Sequence, residues 1–271
     1  MHTLNCDGMS LRYTTSGDVA SPPLLFVHGW QSSHAVWRQT VPAFHDTHYC
    51  VALDLLGYGE SDKPRDGDYN VVAQSRRVLA LADALGLKQF VLCGHSMGGM
   101  VVLSIAASMA PERVTRVVNV SGTVYNPHPG TQWLLISLAR LGAYLPVAYS
   151  ALRFAARSRA FLRLSQYVVT HPATKAYAKE DLYDAVRPGV EMPAYRSLQS
   201  MARTDLRPVL PQIRCPVLTI FGKQDHVVPP RQGRVADKLV PDHRLLMLDK
   251  CGHLPMFERT AQYLAALRAF I

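Results

Sequence analysis

The residues best equipped for covalent chemistry lie in the segment Gly94-His95-Ser96-Met97-Gly98-Gly99. It follows the apolar run Phe90–Cys93, which reads as a strand, and opens the helix-like stretch Met97–Met109. A serine on a sharp strand-to-helix turn sits in strained backbone geometry, and glycines two residues to either side remove side chains that would collide there. The helix beyond directs its free N–H groups and positive dipole end at a reacting oxygen. Sequence and context together favour a nucleophile at Ser96 over a helix-capping serine.

A serine hydroxyl is a weak nucleophile without a base, and the base needs an acid to orient it. Of eleven histidines, His253 stands out because Gly252-His253-Leu254-Pro255 follows the last strand-like run, Arg244–Leu248. A loop there reaches back over the strand ends towards Ser96. Asp225 follows the run Val217–Phe221 and is the candidate acid. Its rival Asp249 lies only four residues before His253, an awkward separation for orienting that ring. The oxyanion of an acyl-transfer intermediate needs two backbone donors. Met97, next after the serine, is expected to supply one, and Trp30, in the loop His28-Gly29-Trp30-Gln31 after the run Leu24–Val27, the other. His28 reads as a brace for that loop.

Taken together, His28-Gly29-Trp30, Asp54-Leu55-Leu56-Gly57-Tyr58-Gly59-Glu60-Ser61-Asp62, Gly94–Gly99, Gly222-Lys223-Gln224-Asp225 and Gly252-His253 resemble the α/β-hydrolase family. They occur in its order and at its usual separations, including the chain order Ser, Asp, His. The resemblance implies a mostly parallel eight-stranded sheet flanked by helices, with a helical cap inserted. It further implies a triad of Ser96, Asp225 and His253, without metal or organic cofactor. Some members take their acid from an earlier strand end, but Ser121-Gly122-Thr123 offers no carboxylate there. Asp54–Asp62 holds three acidic residues that suggest metal binding in isolation; the resemblance makes it a structural loop whose glycines serve turns.

The nucleophile narrows the chemistry. Haloalkane dehalogenases and most epoxide hydrolases of this family attack with aspartate, and a serine would form an inert alkyl ether. Carbon–carbon hydrolases of ring-fission products resemble the chain in size, yet carry a glycine-rich loop where Trp30-Gln31-Ser32-Ser33 stands here. Prolyl aminopeptidases show tryptophan after the nucleophile and an acidic cap, unlike Met97 and the arginines of this chain. Cofactor-free perhydrolases share an HGW-type loop and Ser-Met-Gly-Gly. The expected activity is hydrolysis of carboxylic esters with small to medium apolar groups. Lactonase, thioesterase, perhydrolase or carbon–carbon hydrolase activity, or a ligand-binding receptor on the same fold, are the alternatives. Trp30, Trp133, Leu134, Leu138, Val228 and Leu254 are the expected pocket lining, with Met100, Met192 and Met256 as pliable additions.

The elements that must position these residues are legible as short apolar runs alternating with helical patterns. Met1–Cys6 and Ser10–Thr15, parted by Asp7-Gly8, read as a hairpin. Leu24–Val27, Tyr49–Leu53, Phe90–Cys93, Val114–Val120, Val217–Phe221 and Arg244–Leu248 read as strands buried on both faces. Val71–Leu85, Met97–Met109, Gln232–Leu239 and Arg259–Phe270 read as helices. This alternation predicts a parallel sheet covered on both sides. It fails between about Thr123 and Leu210, where helix-like stretches carry Arg140, Arg153, Arg157, Arg159 and Arg163. The expected organisation is therefore a core of residues 1–122 and 211–271 and a cap of residues 123–210.

Composition excludes other classes. The formal net charge is +9, but no basic cluster interleaved with aromatics points to nucleic acid. Five scattered cysteines without paired spacing argue against a disulfide framework or zinc site and fit a reducing cytoplasm. The start of the chain lacks the pattern of a signal peptide. The greasiest stretch, Trp133 to Tyr149, is too short and too broken by Arg140, Gly142 and Pro146 to span a membrane. A small-molecule ester substrate, no stable membrane insertion, and a monomer or homodimer are expected.

Overall fold

The computed structural model describes residues 1–126, 130, 132–155, 158, 169–172 and 189–271. Eight strands form one sheet in the order β1-β2-β4-β3-β5-β6-β7-β8. They are β1 His2–Cys6, β2 Met9–Ser16, β3 Pro23–Val27, β4 Tyr49–Asp54, β5 Phe90–His95, β6 Val114–Val120, β7 Val217–Gly222 and β8 His243–Leu248. Only β2 runs against its neighbours, joined to β1 by the expected hairpin at Asp7 and Gly8, both of positive φ. The remaining pairings are parallel.

Strands β4, β5 and β7 are buried along their whole length, because helices cover both faces. Apolar side chains on one face join the core around Leu25, Val51, Leu92 and Val117, and those on the other the core around Phe26, Trp37, Cys93 and Ile220. Helix α1 spans Val71–Ala84; the Asn70 side chain caps it by accepting from Ala73 N–H at 2.7 Å, and Gly86 closes it at φ 68°. The segment Met97–Met109 is α2 over Met97–Ser104, followed by a wider π-helical turn over Ile105–Met109. All five cysteines are free thiols.

After β6 the chain leaves the sheet and returns only at β7. The intervening described helices are α3 Gln132–Tyr144, α4 Pro146–Ala155 and α5 Glu191–Arg203. Helix α6 Arg231–Leu239 then packs on β7 and β8. Where sequence alone suggests one terminal helix from Arg259, the chain forms a short α7, Pro255–Glu258, and a separate α8, Thr260–Phe270. No helix among the described residues is long and apolar enough to cross a membrane.

Candidate active site

Ser96 joins β5 to α2 with φ 53° and ψ −116°, a region of backbone space that a side chain occupies only under strain. Its surroundings hold it there. The Ser96 N–H donates to the Val120 carbonyl at 3.0 Å, and its own carbonyl accepts from Gly99 at 3.0 Å and Thr123 at 3.2 Å. The flanking glycines are steric necessities. A Cβ on Gly94 would lie 2.3 Å from the Gly98 carbonyl oxygen, and one on Gly98 only 2.1 Å from that of Val27. The turn is thus pressed against the end of β3.

The loop after β3 passes over the serine. A Cβ on Gly29 would sit 2.9 Å from the Ser96 Cβ, so glycine is what permits the approach. His28 braces this loop from beneath. Its Nε2 accepts from Leu55 N–H at 3.0 Å, which leaves the proton on Nδ1 to donate to the Gly29 carbonyl at 2.7 Å. Trp30 anchors the loop outward: its indole N–H donates to the Ala194 carbonyl of α5 at 2.9 Å.

His253 and Asp225 meet in the structure. The ring Nδ1 of His253 lies 2.8 Å from Oδ2 of Asp225, and both residues are buried. The other carboxylate oxygen accepts from the Val227 and Val228 N–H groups, each at 2.9 Å. Asp225 therefore has one oxygen fixed by its own turn and one committed to the imidazole. The two loops are laced together, with Gln224 N–H donating to the Cys251 carbonyl at 2.9 Å and Cys251 N–H to Gln224 Oε1 at 3.0 Å. Gly222 admits the crossing, since a Cβ there would lie 2.1 Å from the Gly252 carbonyl oxygen.

Two further residues secure the histidine loop, and sequence reasoning gave neither a role there. The carboxylate of Glu258 accepts from Gly252 and Leu254 N–H, both at 2.9 Å, and from His171 N–H at 2.7 Å. It clasps the peptide groups on both sides of His253. His95, the residue before the serine, lies with its ring centroid 4.8 Å from that of His253, and its Nε2 is 3.0 Å from the His253 carbonyl oxygen. Burial first, and the adjacent His253 ring second, hold the His95 ring well below the usual histidine range despite that hydrogen bond. A single sequence gives little warning of Glu258, because its partners are main-chain groups that any residue carries.

The expected pocket lining divides. Val228 is buried and orients Asp225 through its main chain. Leu254 and Met256 pack into the core on one face of the sheet, and Met100 into the core on the other. The apolar character of all three contributes to these cores. Leu134 and Leu138 lie on α3 at 46% and 56% exposure, out in solvent rather than enclosed as expected. The Trp133 side chain lies outside the described residues.

Asp54 in the acidic loop is fully buried. Its Oδ1 accepts from His34 N–H at 2.6 Å and faces His34 Nδ1 at 2.9 Å; Oδ2 accepts from Glu60 N–H at 2.8 Å. Burial would raise this carboxyl, but the hydrogen bond from His34 and the nearby histidine rings outweigh it and hold the group below its ordinary value. The carboxylate is bound up in turn formation.

A strained serine at a strand-to-helix turn, beneath a glycine loop and beside an Asp–His pair, defines a class of protein. The family model for the α/β-hydrolase fold matches residues 22–260, and the chain belongs to that family. Among its relatives is the uncharacterized hydrolase YugF of Bacillus subtilis (strain 168), 30% identical, with 93% of this chain and 91% of that protein covered. A 3-oxoadipate enol-lactonase of Acinetobacter baylyi is 28% identical over 98% of this chain and 95% of its own length. A pimeloyl-[acyl-carrier protein] methyl ester esterase of Aliivibrio fischeri (strain MJ11) is 25% identical, with 97% of each chain covered.

Proposed function

We propose that the protein is a carboxylic ester hydrolase working through an acyl-enzyme on Ser96. The observation that carries this reading is the 2.8 Å contact of His253 Nδ1 with buried Asp225, in a site where Ser96 holds a positive φ. With Nδ1 committed to the carboxylate, Nε2 is the nitrogen left to act as base. In the proposed reaction His253 takes the Ser96 proton as the hydroxyl oxygen attacks the ester carbonyl, and Asp225 stabilises the imidazolium. The N–H groups of Trp30 and Met97 hold the oxyanion. The alcohol leaves with the proton from His253. Water, deprotonated by the same ring, then releases the acid.

The helices between β6 and β7 act as the cap in this reading, with Trp30 at the boundary between cap and core. Esters with apolar groups of small to medium size are the substrates proposed. A cyclic ester is the same bond in a ring, and the enol-lactonase relative favours including lactones among the substrates.

The test is a panel of p-nitrophenyl esters from acetate to palmitate, run beside lactones and thioesters. A burst of nitrophenol equal to the enzyme concentration is expected, with its maximum at short to medium chains, and S96A should abolish turnover. Retained activity in S96A, or no turnover on any ester, would falsify the assignment.

A further inference from the structure

We propose that the outer face of α3 and α4 is a docking surface for an anionic lipid bilayer. Among the described residues, each of the two helices carries large apolar side chains that are half exposed or more. Leu134, Leu138, Leu141 and Leu145 recur at intervals of three and four residues, which stacks them in one stripe along a helix. They are between 46% and 56% exposed. On α4, Val147 and Phe154 lie seven residues apart, two turns along the same side, and are 82% and 73% exposed. Isolated surface leucines are ordinary, but exposed large apolar side chains repeated at helical spacing mark a surface that meets something.

The charge of this stretch identifies the occupant. From Thr123 to Lys179 the sequence carries five arginines and two lysines and not one aspartate or glutamate. Arg140 is exposed on α3 itself, one residue before Leu141. An apolar stripe within a basic, acid-free segment is the composition of helices that lie in the headgroup region of negatively charged membranes. A second copy of the chain fits poorly, because a two-fold contact sets the same patch against itself and opposes like charge to like charge.

The surface lies one helix away from the candidate active site. Helix α3 packs on α5, with Tyr144 and Tyr195 in edge contact at 6.4 Å between ring centroids. Helix α5 holds the Trp30 indole through Ala194. Docking by this face would bring the cap side of the molecule to the bilayer. Membrane docking by this face does not depend on ester hydrolysis at Ser96.

The experiment is co-sedimentation of the full chain with vesicles of phosphatidylcholine alone or mixed with phosphatidylglycerol, at low and high salt. Binding to the mixed vesicles at least tenfold tighter than to the neutral ones, weakened by salt, is expected. The double variant V147S/F154S should lose at least tenfold of that binding while keeping its far-UV spectrum and melting temperature. Absence of binding to the mixed vesicles overturns the proposal. So does salt-sensitive binding unchanged in V147S/F154S, which would indicate a purely polyanionic partner such as an acidic protein. Concentration-dependent dimerisation abolished by the double variant, without vesicle binding, would instead make the face a contact between copies and equally overturn it.

Discussion

His95 Nε2 lies 3.0 Å from the main-chain carbonyl of His253, so the residue before the candidate nucleophile holds the backbone of the candidate base. A carbonyl can only accept, which places the imidazole proton on Nε2 and leaves Nδ1 bare. That nitrogen is buried without a partner, and the ring is held well below the usual histidine range.

A consequence for stability follows. In the unfolded chain His95 takes up a proton below about pH 6.5, whereas the folded ring resists it until a lower pH. The unfolded state then binds more protons, so stability is full above that pH and falls as acid is added. One such group contributes a slope of at most about 1.4 kcal/mol per pH unit. Urea unfolding from pH 7.5 to 5 should show this component in the wild type and its loss in H95Q, which keeps a side-chain N–H donor. Parallel pH profiles for the two proteins would refute it.

Glu258 offers a second prediction. Its carboxylate accepts three main-chain N–H groups around His253, and an amide in its place turns one acceptor into a donor facing a donor. E258Q should lose about 2 kcal/mol of stability. A shift of the base by a fraction of an ångström should also lower kcat about 10- to 100-fold, with KM little changed. Steady-state kinetics on the best ester of the panel, beside a thermal melt, separate the two effects. An unchanged kcat in a destabilised protein would leave Glu258 a structural residue only.

Gly98 provides the third. An added Cβ would lie 2.1 Å from the Val27 oxygen and 2.6 Å from that of His28, both main-chain atoms that cannot swing aside. Relief requires β3 and the serine turn to separate, at a cost of about 3 kcal/mol. The urea midpoint of G98A should fall accordingly, whereas G86A, where an added Cβ meets nothing within 4 Å, should lose only what positive φ imposes. Equal losses at the two positions would contradict this reading of the turn.

Much of this was legible in the sequence because the informative residues are constrained in kind. Gly94, Ser96 and Gly98 announce a turn that few other residues can form, and Asp225 and His253 follow recognisable strands. The alternation of strands and helices then fixed the sheet, since a parallel sheet needs its crossover helices. Apolar residues carry no such mark. Leu254, Met256 and Met100 have the same chemistry whether they line a pocket or fill a core, and only the packing of the whole chain distinguishes the two. Leu134 and Leu138 show the reverse, apolar side chains that the fold leaves in solvent.

Hydrogen bonds between the core and main-chain groups of the segment between β6 and β7 constrain how the molecule can be remodelled. Trp30 is tied to the Ala194 carbonyl of α5, His253 N–H donates to the Val169 carbonyl at 2.9 Å, and Glu258 reaches His171. Exchanging residues 123–210 for the equivalent segment of a relative would thus sever supports of the glycine loop and the histidine loop at once. A chimera must supply matching peptide groups at these three places. On the proposed cap reading, substrate range is better altered by changing side chains within this segment than by transplanting another whole.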